Sequence, residues 1–207
     1  MGQSLWRGMM NKEFESIAID GQTLDLGGPP DSEYSTLFKG EYHVTCTDFD
    51  SEKETDLSFD FEKPFPVEGG SFDAILCINV LEHIFNYQNV LNESYRILKD
   101  GGVMVTAVPF LIRVHPSPND YWRYTEQTLL KIFEVAGFVD VEVRPIGTGA
   151  FGASYALLHN VFRFRPIQAI GRACAQLCDW LLFKIAPQSP YTKRNLPLGY
   201  IVIAHKK

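Results

Sequence analysis

The chain alternates apolar runs of strand length with stretches of helical spacing, and this constrains its fold more than any other feature. SFDAILCIN (71–79) and VMVTAVPF (103–110) are almost unbroken in apolar residues, as strands covered on both faces are. Between them, NYQNVLNESYRILKDGG (86–102) places Tyr87, Val90, Leu91, Tyr95 and Leu98 at helical spacing and closes on an Asp-Gly-Gly stop. TLDLGG (23–28) and YHVTCTDFD (42–50) read as two earlier strands, one ending in glycines and the other in acids. Thr125 caps a helix that runs through Ala136, with Leu129, Leu130, Ile132 and Phe133 inward and Gly137 as its stop. FVDVEVRPI (138–146) alternates as an edge strand does, and LGYIVIAH (198–205) supplies a last strand. Residues 5–17 read as a leading helix with Trp6, Met9, Met10 and Phe14 on one side. Strands alternating with helices predict an α/β fold with a mainly parallel, doubly wound sheet. Ligands of such sheets sit beyond the carboxyl ends of the strands, where the strand order reverses. The loops after Leu26, Asp48, Asn79 and Phe110 are therefore the ones to interrogate.

A length of 207 residues predicts one domain over 1–207, with a helical insertion at about 150–190 before the last strand. The opening MGQSLWRGMM lacks the apolar core of a secretory signal. Cys46, Cys77, Cys174 and Cys178 form no CxxC pair, which predicts reduced thiols in a cytoplasmic protein. The five histidines have no i,i+4 partners and no Cys companions, so linear spacing shows no metal site. The net charge of −6 hides an asymmetry: 157–207 carry +7 and 1–156 carry −13. The acidic balance of the larger part argues against a nucleic-acid partner.

Asp25-Leu26-Gly27-Gly28 ends the first strand, where glycine lets backbone approach a ligand and a following helix N-terminus favours polar or anionic groups. Asp48 ends the second, where an acid can accept from both hydroxyls of a ribose. On position alone a solvated loop carboxylate is the plainer reading. With FDFEKPFPVEGGSFDAILCINVLEHI (59–84) and ESYRILKDGG (93–102) added, the chain resembles the class I S-adenosylmethionine-dependent methyltransferases, in their bacterial type 11-like subgroup. The resemblance covers about 22–138. It implies a Rossmann-like, mostly parallel seven-stranded sheet with helices on both faces, and S-adenosyl-L-methionine as cofactor. It further implies Asp25 and Gly27, with Gly28 beside them, at the methionine end, and Asp48 on the ribose. Asp60 would accept from the adenine amino group next to the Phe61 backbone, and Asn79 and Leu81 would line the sulfonium. Glu82 and His83 read equally well as partners that hold the loop. A nicotinamide oxidoreductase would share the sheet, but its GxGxxG is absent. One departure stands out. The family pattern Asp-x-Gly-x-Gly-x-Gly is here Asp25-Leu26-Gly27-Gly28-Pro29-Pro30-Asp31, and proline supplies no amide donor. A catalytically inactive scaffold or interaction protein on the same fold is the alternative this departure keeps open.

HPSPNDYWRYT (115–125) follows the 103–110 strand and carries the acceptor side of the expectation. The cofactor brings the methyl group, so the protein must mainly position the acceptor. For a hydroxyl acceptor, His115 is the expected base, since imidazole is the side chain that ordinarily titrates nearest neutrality. Asp120 would orient it, Arg123 would suit a phosphate or carboxylate, and Tyr121, Trp122 and Tyr124 would wall a sugar ring or other flat surface. The plainer reading makes the aromatics a staple over the sheet, with Arg123 paired to Asp120. The expected acceptor is a small molecule or a glycan- or lipid-linked one. In the basic tail, Ile167, Ile170, Cys174, Leu177, Leu181 and Ile185 recur at helical spacing. A helix packed on the domain or on a second subunit is the ordinary expectation. A peripheral membrane contact through 155–187 is the sharper one, since Arg163, Arg165, Trp180 and Phe183 suit an anionic interface.

Overall fold

The structure, a computed structural model, describes residues 4–29, 31–48, 55–158, 161 and 164–207. Pro30, the last two residues of the 42–50 run and Arg163 lie outside the described residues. In chain order the elements are α1 (Leu5–Phe14), β1 (Gly21–Leu26), β2 (Tyr42–Asp48), β3 (Leu57–Ser58), β4 (Phe72–Ile78), α2 (Tyr87–Ile97), β5 (Leu98–Pro109), α3 (Glu126–Val135), β6 (Val139–Ile146), α4 (Ala150–Leu158), α5 (Arg165–Ile185) and β7 (Gly199–His205). Short 3-10 turns occupy Glu33–Thr36 and Leu81–His83.

Seven strands form one sheet in the order β3-β2-β1-β4-β5-β7-β6. The first five pair in parallel, and β7 runs antiparallel between β5 and β6. Strand order reverses between β1 and β4, so the crevice outside Leu26 and Ile78 is the switch point of the sheet. Alternation along β4 sends Ile75 and Cys77 into the core that holds α2 and α3, and Ala74, Leu76 and Ile78 into the core that holds α1. Each of these side chains is at most about a twentieth exposed. Truncating a fully buried one such as Leu76 to Ala costs about 2–5 kcal/mol.

The 86–102 run is divided differently from the expectation. Helix α2 ends at Ile97, and Leu98 opens β5 opposite Phe72. The register then jumps from Phe72↔Leu98 to Ala74↔Val103, so the Lys99–Gly102 residues form a bulge, with Gly101 at φ 77°. Leu98 satisfies helical spacing and yet is fully buried on the sheet, which is why periodicity alone carried the helix too far. Thr125 does cap α3, accepting from the Thr128 amide, and Gly137 at φ 101° ends it. Leu129 and Phe133 are buried there, while Leu130 and Ile132 are only half-buried.

Two helices separate β6 from β7. On α5 the apolar stripe faces outward: Ile167, Ile170, Leu177 and Leu181 are all exposed. What α5 turns inward is small or polar. Ala175 and Asp179 are buried, and Asp179 accepts from Thr148 Oγ1 (2.7 Å) and from the amides of Phe151 (3.0 Å) and Gly152 (2.8 Å), the first turn of α4. The expected packing of the stripe onto the domain is therefore reversed, because the acid that caps α4 sets which face of α5 goes in. Among the described residues no helix is long and apolar enough to cross a membrane.

Candidate functional site

A pocket of about 230 Å³ opens at the switch point, walled by Gly27, Asp48, Asp60, Phe61, Asn79 and His83, with Ser117, Pro118 and Asn119 across from them. Five of the eight residues expected to hold a cofactor thus meet at one cavity, although they come from the ends of β1, β2 and β4 and from the loop after β3. Gly27 needs its left-handed backbone (φ 77°), and a Cβ there would meet Val80 Cγ2 at 2.7 Å. Its amide is spent on the Thr47 carbonyl (2.8 Å). Asp48 is buried at the pocket floor. Asp60 accepts from the Glu62 amide (2.9 Å) and pairs with Lys63 (3.1 Å), which together hold its carboxyl below the usual range. Asn79 takes a left-handed backbone (φ 55°) at the end of β4. Its Oδ1 accepts from Trp6 Nε1 (3.1 Å), so α1 fixes a pocket residue from 73 positions away.

The other three expected cofactor residues stand behind the wall. Asp25 is fully buried and accepts from the Tyr34 hydroxyl (3.0 Å to Oδ2). Burial pushes its carboxyl up to about 7, against the opposing pull of that hydrogen bond. A Cβ on Gly28 would fall 2.0 Å from Asp25 Oδ2 and 2.4 Å from the Tyr34 hydroxyl, so only glycine lets this buried pair form. Leu81 is buried, and its carbonyl accepts from the Tyr124 hydroxyl (3.2 Å). Nothing in the sequence marks Tyr34, and Trp6 reads there only as part of the apolar side of a leading helix.

The 115–125 loop is stapled to the Leu81–His83 turn. The amides of Tyr121 and Trp122 donate to the Glu82 carbonyl (2.8 and 3.3 Å), and Trp122 Nε1 donates to the Ile84 carbonyl (3.0 Å). Trp122 stacks on Phe85, and Tyr87 meets both Trp122 and Tyr124 edge-on. The aromatics are thus the staple, and Tyr121, half-exposed against Phe85, stands off the pocket wall. Arg123 makes a two-pronged pair with Asp120 (2.7 Å from Nη2 to Oδ2) and also donates to the Trp122 and Arg113 carbonyls. Its guanidinium is occupied within the loop and is not held out toward an anionic acceptor. Arg123 in turn holds the Asp120 carboxyl down at about 2. Asp120 accepts from the His115 amide (2.9 Å) and lies 3.5 Å from its Nδ1.

Facing this loop is a group that linear spacing hid. The Glu82 side chain is fully buried, and neither carboxylate oxygen has a hydrogen-bond partner among the described residues. Burial pushes it up to about 8. His83 Nε2 lies 3.7 Å and His115 Nε2 3.9 Å from Glu82 Oε1.

Comparison with known proteins fits this architecture. Residues 24–106 match the family model described as a methyltransferase domain. An uncharacterised protein of Methanocaldococcus jannaschii is 35% identical over 104 residues, 49% of this chain and 41% of its own length. Demethylmenaquinone methyltransferase of Lactococcus lactis is 28% identical over 121 residues, 44% of this chain and 48% of its own length. The matched stretches thus span less than half of either curated relative. Among solved structures, a S-adenosylmethionine-dependent methyltransferase of Thermotoga maritima superposes with a TM-score of 0.62 at 13% identity, covering 98% of this chain and 92% of that one. At that identity the likeness establishes the fold, which is the class I methyltransferase fold. Through residues 24–106 the chain resembles the methyltransferase-domain family, and the match covers less than half of its length.

Proposed function

We propose that the switch-point pocket binds S-adenosyl-L-methionine and that the 115–125 loop presents a small-molecule or glycan- or lipid-linked acceptor, methylated at oxygen. The observation that carries this reading is the meeting of Gly27, Asp48, Asp60, Phe61 and Asn79 on one cavity whose far wall is the Ser117–Asn119 part of that loop. Asp48 would accept from the ribose hydroxyls and Asp60 from the adenine amino group, since carboxylates are the acceptors that these donors need. Asn79 would stand at the sulfonium. Asp25, Gly28 and Leu81 would act from behind the wall, fixing the course of the Gly27 and Leu81–His83 turns. Held there, the cofactor would supply the methyl group, the acceptor oxygen bonding to the methyl carbon as the sulfur–carbon bond breaks and S-adenosylhomocysteine is left. The hydroxyl proton departs toward the Glu82, His83 and His115 group, of which His115 is the member on the acceptor loop.

Calorimetric titration with S-adenosyl-L-methionine tests this. Micromolar binding by the wild type, lost or weakened at least about tenfold in Asp48→Ala, is the expected outcome, corresponding to about 1.4 kcal/mol or more. No binding at millimolar concentration would leave the inactive scaffold as the better reading, with the Pro29 turn as its reason.

The outward stripe of α5 favours one addition, a lipid-surface contact that would bring the enzyme to a lipid-linked acceptor. Its apolar residues Ile170, Leu177, Trp180 and Phe183 are exposed, with Lys184 beside Trp180. Flotation with anionic liposomes at low salt is the expected result, and absence of flotation there removes this addition.

A further inference from the structure

Buried carboxylates are ordinarily satisfied, and one without a partner calls for an explanation. Glu82 is such a group, and its surroundings narrow the explanation. His83 Nδ1 lies against the Asn119 carbonyl and His115 Nδ1 against the Arg113 carbonyl (3.1 Å). A carbonyl oxygen can only accept, so each imidazole carries a proton on Nδ1, and in the neutral ring the Nε2 lone pair is left free. Both lone pairs face Glu82 Oε1, at 3.7 and 3.9 Å. One ligand atom from each of the three residues lies within 4.8 Å of the other two. Two such nitrogens and a carboxylate oxygen converging at the pocket edge are relieved either by a proton on Glu82 or by a cation held between the three.

We propose that Glu82, His83 and His115 hold a divalent first-row transition cation at the edge of the cofactor pocket. Two imidazoles and one carboxylate are a donor set that such cations favour, and bonds of about 2.0–2.2 Å need only small movements from the present spacing. The backbone carbonyls behind each Nδ1 supply the outer partners that orient metal-bound histidines. Asp120 adds a negative charge 3.5 Å from His115 Nδ1. His83 is also part of the pocket wall, so the cation borders the space where an acceptor would lie.

This deepens the methyl-transfer reading and rests on it for its role. With the cation bound, His115 holds metal and does not itself take the proton. The cation would supply acidification of an acceptor hydroxyl, whose proton would leave to solvent as the oxygen takes the methyl group from sulfur. Acceptors able to offer a hydroxyl to a cation, with a second oxygen nearby to chelate it, fit this site best.

The test is direct titration of chelator-treated protein with Co²⁺, followed by visible absorption and by the melting temperature. One equivalent bound, with a ligand-field spectrum and a raised melting temperature, is expected. Weakening by at least about tenfold in His83→Ala and in His115→Gln is expected too, with no change in His43→Ala, whose exposed histidine lies outside the site. His115 sits on the surface loop, so its variant stays informative if His83→Ala misfolds. Absence of stoichiometric binding by the wild type, or binding that survives both substitutions, overturns the proposal. Calorimetry with S-adenosyl-L-methionine on the same chelator-treated protein separates the two readings. Cofactor binding without Co²⁺ binding removes the cation and keeps the methyltransferase, and the reverse removes the cofactor and keeps the cation.

Discussion

Two regions of this molecule bury carboxylates, and they treat them differently. In the helical region between β6 and β7, Asp179 is surrounded by three donors and joins α5 to the first turn of α4. At the strand ends, among the described residues, Asp25 has one donor, the Tyr34 hydroxyl, and the Glu82 carboxylate has none. The first arrangement is what a stable fold needs, since every acceptor lost to water is replaced. The second leaves acceptors short of partners where the sheet changes direction, which is also where the pocket lies. Local stability is given up at the strand ends and kept in the helices, as expected if ligands complete the former. Cavity size points the other way. The hollow under α5, bordered by Thr148, Gln176, Trp180 and Phe183, is about 310 Å³, larger than the 230 Å³ pocket. Its lining lacks the convergent acids and the glycine turn of the smaller one, so chemistry outweighs volume in choosing between them.

The largest effect that can sharpen this contrast is at Asp25. Its carboxyl titrates near 7 in the folded protein against about 3.8 ordinarily, so the folded state holds this proton more tightly than the unfolded chain does. That contribution to stability is full below about pH 4 and is lost as pH rises through 7. Asp25→Asn removes the dependence. Between pH 4 and pH 8 the stability difference should move in favour of the variant by an amount on the order of 4 kcal/mol, read from urea unfolding at each pH. An unchanged difference across that range would mean that Asp25 is better solvated than its burial indicates.

Asp179→Ala should act in the opposite sense. It leaves the Phe151 and Gly152 amides without their acceptor and should cost roughly 2–4 kcal/mol, seen as a lower melting temperature, with cofactor affinity unchanged. Loss of cofactor binding in the folded variant would break the separation of the two regions. The smallest effect belongs to the outer face of α5. Leu177→Glu should change stability by no more than about 0.5 kcal/mol, because the side chain is already half-exposed. A large loss would show that this face is covered in solution.

Much of the fold was legible because fully buried strands such as β4 leave unbroken apolar runs, and an alternating edge strand such as β6 leaves its own period. Helix ends were less so. Leu98 fits both a helix face and a strand, and only pairing with Phe72 decides between them. On α5 the apolar stripe suggested a packed face, but the buried acid at Asp179 and the small Ala175 chose the opposite one. At the site, Asp48 could be placed at a strand end from the apolar run before it, whereas Asp60 came only with the resemblance of the 59–84 run. Tyr34 behind Asp25, Trp6 on Asn79 and the approach of His115 to Glu82 could not, since each joins segments that only the folded chain brings together. Of the two sequence readings of Arg123, a group for an anionic acceptor and a partner of Asp120 three residues away, the structure forms the pair.

The measurement that bears most directly on the account is photolabelling of the protein with methyl-labelled S-adenosyl-L-methionine, followed by peptide mapping. The account predicts label in peptides containing residues 25–28, 59–62 and 79–84, reduced by excess S-adenosylhomocysteine. Label concentrated instead on peptides containing 148, 176–183 and 191, the lining of the larger hollow, would contradict it.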